Sequence, residues 1–236
     1  MNKLLSTLFA LSVACAAGLA SAQTPAASAP AAPAAAAPAP APAGAKSMEA
    51  KVAMCIGCHG IKGYQASFPE VYRVPMISGQ SAKYIAAALN GYKTGDRKHP
   101  TMRGIADSLT DQDITDIANY YSQHGAGGVK VVEKPTVQPD ARVDALLKKA
   151  ACASCHGENL SKPIDPSYPK IAGQHADYLF VALKAYKTDN NPAVGRNNGV
   201  MGAIAKQFSN AELKLLSKYV ASLPGELQTV PEAKFR

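Results

Sequence analysis

The stretch Cys55-Ile56-Gly57-Cys58-His59 recurs 97 residues later as Cys152-Ala153-Ser154-Cys155-His156. Two further blocks recur behind it in the same order. They are Pro75–Gln80 with Pro169–Gln174, and Arg97 five residues before Met102 with Arg196 five residues before Met201. Matched blocks separated by small changes in length indicate two homologous domains, because two copies are too few to build a solenoid.

Both motifs have the C-x-x-C-H spacing that attaches a c-type haem. Two thiols three positions apart at a helix end reach the two vinyl groups of one porphyrin, and the adjacent His lies under the iron as its proximal ligand. The expected covalent anchors of two haem c groups are the thiols of Cys55, Cys58, Cys152 and Cys155. The expected proximal ligands are His59 and His156.

Three other interpretations of these cysteines compete. A zinc site needs two further ligands at close spacing, and neither repeat supplies a second such pair. A thioredoxin-like motif needs a βαβ setting, which the sequence lacks. A structural disulfide is compatible with an exported protein, but the His that follows both pairs favours haem.

The second axial ligand distinguishes a carrier from a catalyst, since a six-coordinate iron has no site for a substrate. Repeat symmetry predicts Met102 and Met201, and Met201 is the only Met after Cys152. The competing side chains are His99, His175, Met54 and Met76. Each lacks an equivalent ligand in the other copy or lies on the proximal side.

Two pairs of residues are predicted to support the iron ligands indirectly. A metal-bound His usually donates its free ring N–H to a carbonyl, which Pro75 and Pro169 could supply. Arg97 and Arg196 could pair with haem propionates. The alternatives are ordinary turn prolines and solvated surface arginines.

The N-terminus has the features of an export signal. Lys3 precedes the apolar run Leu4–Val13, and Ala20-Ser21-Ala22 forms an A-x-A cleavage site. We therefore expect a signal peptide over residues 1–22, cleaved after Ala22, which also removes the fifth Cys. An Ala/Pro-rich spacer is predicted over 23–45, because Pro prevents a regular helix.

The remaining chain is predicted to be all-α, with tandem domains over 46–130 and 141–236 joined by a linker over 131–140. The first helix of each copy is expected over Ser47–Cys58 and Val143–Cys155. Later helices are expected to begin near Ser81 and His175, and at Thr110 and Ser209 behind capping boxes. No alternating strand pattern is evident.

These features resemble the dihaem class I cytochromes c of the cytochrome c4 type, over nearly all of residues 47–223. The resemblance rests on both C-x-x-C-H motifs, on Pro-x-Ile-x-Gly-Gln followed by a Tyr/Leu helix, on Arg-x4-Met and on the final capped helix. It implies two cytochrome c folds, each wrapped around one haem with His and Met ligands. It also implies that a loop Pro carbonyl accepts a hydrogen bond from the proximal His, as expected for Pro75 and Pro169.

The resemblance further implies an electron carrier of the bacterial periplasm rather than an enzyme. Its expected partners are redox proteins: a quinol-oxidising complex or dehydrogenase as donor, and a terminal oxidase or other reductase as acceptor. Loose membrane association is left open. The alternatives are a dihaem enzyme of the peroxidase or thiosulfate-oxidising type, and a haem subunit of a dehydrogenase.

The composition limits the other classes of function. The 236 residues are 47% apolar and 18% charged, as in a soluble globular protein. The formal net charge of +8 is lowered by the haem propionates and by loss of Lys3. It therefore does not indicate a nucleic-acid partner, and it fits an acidic redox partner only weakly.

Overall fold

The structure is a computed structural model that describes residues 46–128 and 133–232. The predicted signal peptide and Ala/Pro-rich spacer lie outside the described residues, as does part of the predicted linker. No helix in the described ranges is both long enough and apolar enough to cross a bilayer.

The described chain is helical with a few very short strands. In chain order the helices are α1 (Met48–His59), α2 (Ala82–Thr94), α3 (Pro100–Asp107), α4 (Asp111–Gln123), α5 (Ala141–Ala150), α6 (Ala153–His156), α7 (Ala176–Lys187), α8 (Gly199–Ala205) and α9 (Asn210–Ser222). The strands are β1 (Gln65–Ala66), β2 (Tyr72–Arg73), β3 (Arg97–Lys98) and β4 (Gly195–Arg196). The second repeat follows the order of the first, except that α5 and α6 stand where the first repeat has the single helix α1.

Helix starts follow the local sequence signals. Ser47 caps α1 by accepting a hydrogen bond from the Ala50 backbone N–H. Reciprocal capping boxes begin the last helix of each repeat, through Thr110 with Asp113 and through Ser209 with Glu212. The predicted starts of these helices are therefore confirmed.

The motif helix of the second repeat differs from the prediction. The single helix expected over Val143–Cys155 is wrong, because α5 ends at Ala150 and α6 begins at Ala153. Ala151 closes α5 in the left-handed region, with φ 48°. The sequence around it has no Gly or Pro to mark this break, so the helical pattern continued through it.

Two short antiparallel ladders were not predicted. β1 pairs with β2 within the first repeat. β3 pairs with β4 between the repeats, with Arg97 opposite Arg196. Two-residue strands are too short for an alternating pattern to reveal them.

Each repeat has its own apolar core beside the helices that carry its functional residues. Ile85 of α2 and Ile117 of α4 pack with Val52 in the first repeat. In the second, Leu179 of α7 packs with Val220 of α9. The helix pairs α2·α4 and α7·α9 therefore form equivalent frameworks, as the repeat predicts.

The segment after α9 returns to the first domain. Gln228 donates its backbone N–H to the Ser78 carbonyl at 3.1 Å. The Glu232 carboxylate accepts hydrogen bonds from the Tyr120 hydroxyl at 2.9 Å and lies 2.8 Å from His124 Nε2. Residues 226–232 thus contact the N-terminal domain although they follow the last helix of the C-terminal one.

Candidate functional site

Both C-x-x-C-H motifs face a cavity of about 620 Å³ that extends through the two repeats. The predicted anchors and axial ligands all line it: Cys55, Cys58, His59, Met102, Cys152, Cys155, His156 and Met201. The remaining lining is largely apolar, with Ile85 and Leu89 in one repeat and Leu179 and Val220 in the other. Such a lining suits a porphyrin and excludes water from its faces.

The four thiols are free in the structure. Burial raises the pKa of Cys55 to about 11 and also raises the pKa of Cys152. No group of three or more His, Cys, Asp or Glu side chains within the described ranges is arranged to hold a metal ion. The zinc and disulfide interpretations therefore gain no support from the geometry.

Each motif His is fixed by a Pro carbonyl. His59 Nδ1 lies 2.8 Å from the Pro75 carbonyl oxygen, and His156 Nδ1 lies 2.8 Å from that of Pro169. Because a carbonyl can only accept, Nδ1 carries the proton in both rings and Nε2 keeps a free lone pair. Burial lowers the pKa of both imidazoles, which favours the neutral form that binds a metal.

Helices α3 and α8 carry the two Met residues, and each is capped at the Met backbone. His99 Nδ1 accepts a hydrogen bond from the Met102 N–H at 3.3 Å. Asn198 Oδ1 accepts one from the Met201 N–H at 2.9 Å. Each capping residue lies three positions before its Met, so the caps fix the first turn of both helices and with it the backbone that carries the sulfur.

The capping role of His99 and Asn198 was missed by sequence reasoning, which treated His99 as a competing ligand. Its Nδ1 is occupied by the cap, so the proton lies on Nε2, 2.9 Å from the Tyr72 hydroxyl that accepts it. The repeat offered a signal, since these two residues lie opposite each other three positions before a Met. His99 is thus engaged at both nitrogens in this structure.

The other candidate ligands differ in their position relative to the cavity. His175 is the N-terminal flanking residue of α7 and does not line the cavity. Met54 of α1 also lines the cavity, although 47% of it is exposed. Met76 lines the cavity, and its backbone is held by the opposite domain. Since Met54 and Met76 line the cavity as well, the prediction of Met102 and Met201 as ligands rests on their equivalent positions in the two repeats.

The two predicted arginines meet where the domains join, in a half-buried cluster with tyrosines. Arg97 donates to the hydroxyls of Tyr84 at 2.9 Å and Tyr92 at 3.2 Å. Arg196 donates to the Tyr178 hydroxyl at 3.1 Å. Burial raises the pKa of Tyr178, but both guanidiniums lower it more, to about 8. The cluster is therefore strongly positive.

This cluster fits the acidic edge of a haem. Among the described residues none accepts a hydrogen bond from the buried Nε of Arg97, although such groups are normally paired. The recorded partners of both guanidiniums are neutral phenols rather than carboxylates. A propionate would satisfy the free N–H and neutralise the buried charge.

Comparisons with known proteins agree with this arrangement. A family model described as Cytochrome c matches residues 41–125 and 141–224. A cytochrome c4 of Stutzerimonas stutzeri is 29% identical over 192 residues, covering 76% of this chain and 89% of its own. A thiosulfate dehydrogenase electron acceptor of Thiomonas intermedia is 28% identical over 184 residues, covering 74% of this chain and 80% of its own.

A solved structure has the same architecture. The cytochrome c4 of Acidithiobacillus ferrooxidans superposes with a TM-score of 0.53 at 26% identity, over 73% of this chain and 99% of that one. Since the family model matches most of the chain in two segments, there are two cytochrome c domains, and each binds one haem c covalently. The chain belongs to the cytochrome c family, as a dihaem electron-transfer cytochrome of the cytochrome c4 type.

Proposed function

We propose that this protein works in the bacterial periplasm, carrying electrons between respiratory redox proteins through two haems with His and Met ligands. The observation that carries the proposal is the repeated geometry around each motif His. In both domains Nδ1 is bound to a Pro carbonyl at 2.8 Å, and a Met lines the same cavity. This arrangement supports two six-coordinate irons and no substrate position.

The residues have distinct roles in this proposal. The two Cys pairs anchor the porphyrins, while His59 and His156 offer Nε2 to the iron. Met102 and Met201 offer a thioether, and a His/Met pair raises the reduction potential. When bound, each haem supplies a one-electron Fe(III)/Fe(II) couple.

The surroundings favour transfer over catalysis. The Pro carbonyls keep the imidazoles in one tautomer and one orientation, so little rearrangement accompanies a change of charge. The apolar lining excludes water from the ligands. Arg97 and Arg196 would hold propionates at the junction between the domains.

Redox proteins are the proposed partners, with a quinol-oxidising complex or a dehydrogenase as donor and a terminal oxidase or other reductase as acceptor. Exposed lysines such as Lys62, Lys214 and Lys218 support docking to acidic surfaces. The Thiomonas intermedia relative favours a thiosulfate dehydrogenase as one such donor. Rapid reduction of the purified cytochrome by such an enzyme, with thiosulfate present, would support that donor.

Spectroscopy of the oxidised holoprotein tests the proposal. We expect two haems per chain, both low-spin, with the near-infrared sulfur-to-iron charge-transfer band at an intensity that corresponds to two Met ligands. A high-spin haem, or one with two His ligands, would contradict the proposal for that domain and would favour the enzymatic alternative.

A further inference from the structure

Two buried glutamines connect the domains reciprocally. Gln80 accepts a hydrogen bond from the Lys170 N–H at 3.0 Å through Oε1, and donates to the Lys170 carbonyl at 2.9 Å through Nε2. Gln174 makes the same pair of bonds to Met76, at 3.1 Å and 2.9 Å. Each glutamine therefore binds both backbone groups of one residue in the opposite domain.

The residues that are held follow the prolines that support the iron ligands. Met76 follows Pro75, whose carbonyl accepts from His59, and Lys170 follows Pro169, whose carbonyl accepts from His156. The Pro75 carbonyl and the Met76 N–H belong to the same peptide group. Gln174 thus binds one end of the peptide unit whose other end accepts from His59, and Gln80 does the same for His156.

The glutamines are themselves fixed from within their own domains. Their exposed fractions are 5% for Gln80 and 4% for Gln174. The Oε1 atom of each glutamine also accepts a hydrogen bond from the backbone N–H of the next residue. The distances are 2.9 Å from Ser81 to Gln80 and 3.0 Å from His175 to Gln174. The preceding residues, Gly79 and Gly173, have φ of 83° and 74°, a region that glycine adopts readily.

From this geometry we propose that Gln80 and Gln174 are crossed positioning residues: Gln174 of the C-terminal domain tunes the N-terminal haem through Pro75, and Gln80 of the N-terminal domain tunes the C-terminal haem through Pro169. The proposal rests on the assignment of His59 and His156 as axial ligands. Each domain thereby influences the reduction potential of the haem in the other domain.

The direction of the effect follows from the chemistry of the imidazole. A hydrogen bond from Nδ1–H to a well-placed carbonyl raises the basicity of the ligating Nε2 and fixes the ring. A more basic imidazole stabilises Fe(III) relative to Fe(II). Loss of the glutamine loosens the peptide unit, weakens that hydrogen bond and therefore raises the reduction potential of the haem in the other domain.

The two directions differ in one respect. The ammonium of Lys170 also donates to the Gly79 carbonyl at 2.9 Å and pairs with Glu226. Met76, at the equivalent position, has no ammonium. The segment that carries Pro169 and Lys170 is therefore held by additional contacts of the Lys170 ammonium. We expect Gln80→Ala to change the reduction potential less than Gln174→Ala does.

Matched variants of the holoprotein, Gln174→Ala and Gln80→Ala, test the crossed assignment. The two reduction potentials are measured by spectroelectrochemistry and are assigned to domains with Met102→Ala and Met201→Ala. We expect Gln174→Ala to change the equilibrium constant for reduction of the N-terminal haem by about threefold or more, which is about 30 mV upward for a one-electron couple. Gln80→Ala should act on the C-terminal haem.

A second readout reports on the hydrogen bond itself. In NMR spectra of the holoprotein, the Nδ1 proton of His59 should exchange with solvent faster in Gln174→Ala, and that of His156 faster in Gln80→Ala. Asn197→Ala is the neutral control, because the exposed Asn197 side chain donates across the domain junction to the Asp96 carboxylate at 3.0 Å, and neither residue belongs to the segments that carry Pro75 and Pro169. It should leave both potentials and both exchange rates unchanged.

Several results would overturn the proposal. They are a shift confined to the haem of the mutated domain, equal shifts in both haems, and no shift at all. If Gln174→Ala fails to take up haem, Gln174→Met keeps the side-chain volume and is judged by the same criteria. Failure of the proposed function would be recognised separately, because the unmodified protein would then lack the His/Met spectrum.

Discussion

In the N-terminal domain the helix that carries the Met is capped by an imidazole, that of His99, whereas in the C-terminal domain it is capped by an amide, that of Asn198. The motif His residues show no such difference, since both bind a Pro carbonyl at 2.8 Å. The His side of each site is thus the same in both copies. On the Met side the two copies share only a hydrogen-bond acceptor for the Met backbone N–H, which His99 supplies in one domain and Asn198 in the other.

The largest expected effect is loss of an axial sulfur, which tests whether Met102 and Met201 are equivalent ligands. Met102→Ala and Met201→Ala should each remove half of the near-infrared sulfur-to-iron band while both haems stay covalently attached. The measurement is the band intensity per haem in the oxidised protein. A variant that keeps the full band would show that the Met in that domain is not the ligand.

The next effect concerns acid stability of the N-terminal domain. Hydrogen bonds from the Thr110 backbone, and then the Lys51 ammonium, lower the pKa of Asp113 to about 2. Since the folded pKa lies below the ordinary 3.8, this stabilisation is present above about pH 4 and is lost as pH falls through about 2. It amounts to about 2 kcal/mol.

We therefore expect Asp113→Asn to lower the free energy of unfolding at pH 7 and to flatten its decline between pH 4 and pH 2, as followed by denaturant titration. The matched change in the other domain is Glu212→Gln. The pKa of Glu212 is lowered first by bonds to Ser209 and then more weakly by the charges of Lys149 and Arg142. Among the described residues no ammonium lies within ion-pair distance of Glu212, and Lys148 pairs locally with Asp144. An equal effect of the two variants would contradict the contribution of Lys51.

A smaller effect should follow from removing the caps of α3 and α8. His99→Ala and Asn198→Ala each leave a Met N–H without its acceptor, at a cost of about 1 kcal/mol. We expect the sulfur-to-iron band of the affected domain to disappear at a lower temperature, with the other domain unchanged. His99→Asn, which copies the second domain, should restore most of the loss. If His99→Asn behaves like His99→Ala, the contact with Tyr72 is the important one.

The smallest effect should come from Ala151, at the break between α5 and α6. Ala151 lies at φ 48°, so Ala151→Gly relieves left-handed backbone and should stabilise the C-terminal domain by about 0.5 kcal/mol. Met54, at the equivalent position, lies inside the continuous α1, where Met54→Gly should cost about 1 kcal/mol. The denaturant midpoint should rise for Ala151→Gly and fall for Met54→Gly, which denaturant titration of both variants would measure. Equal signs would show that the two motif helices are alike in solution.

The parts of the site that depend on a single repeat could be predicted from the sequence. The C-x-x-C-H spacing fixes thiols and His on one short segment, and capping boxes mark Thr110 and Ser209 as helix starts. Parts that depend on the partner domain could not. Gln80 and Gln174 stand out in the repeat, but the peptide groups they bind lie 90 and 98 positions away, and the break at Ala151 leaves no local signal.

The pairing of β3 with β4 and the crossed glutamines relate the two domains as a two-fold axis relates the chains of a symmetric dimer. In a dimer of identical chains, a mutation at such an interface appears on both sides at once. Here each side is encoded separately, so one copy can change while the other stays as it was. Met76 and Lys170 occupy equivalent positions and already differ, which is the kind of asymmetry that a dimer of identical chains cannot acquire.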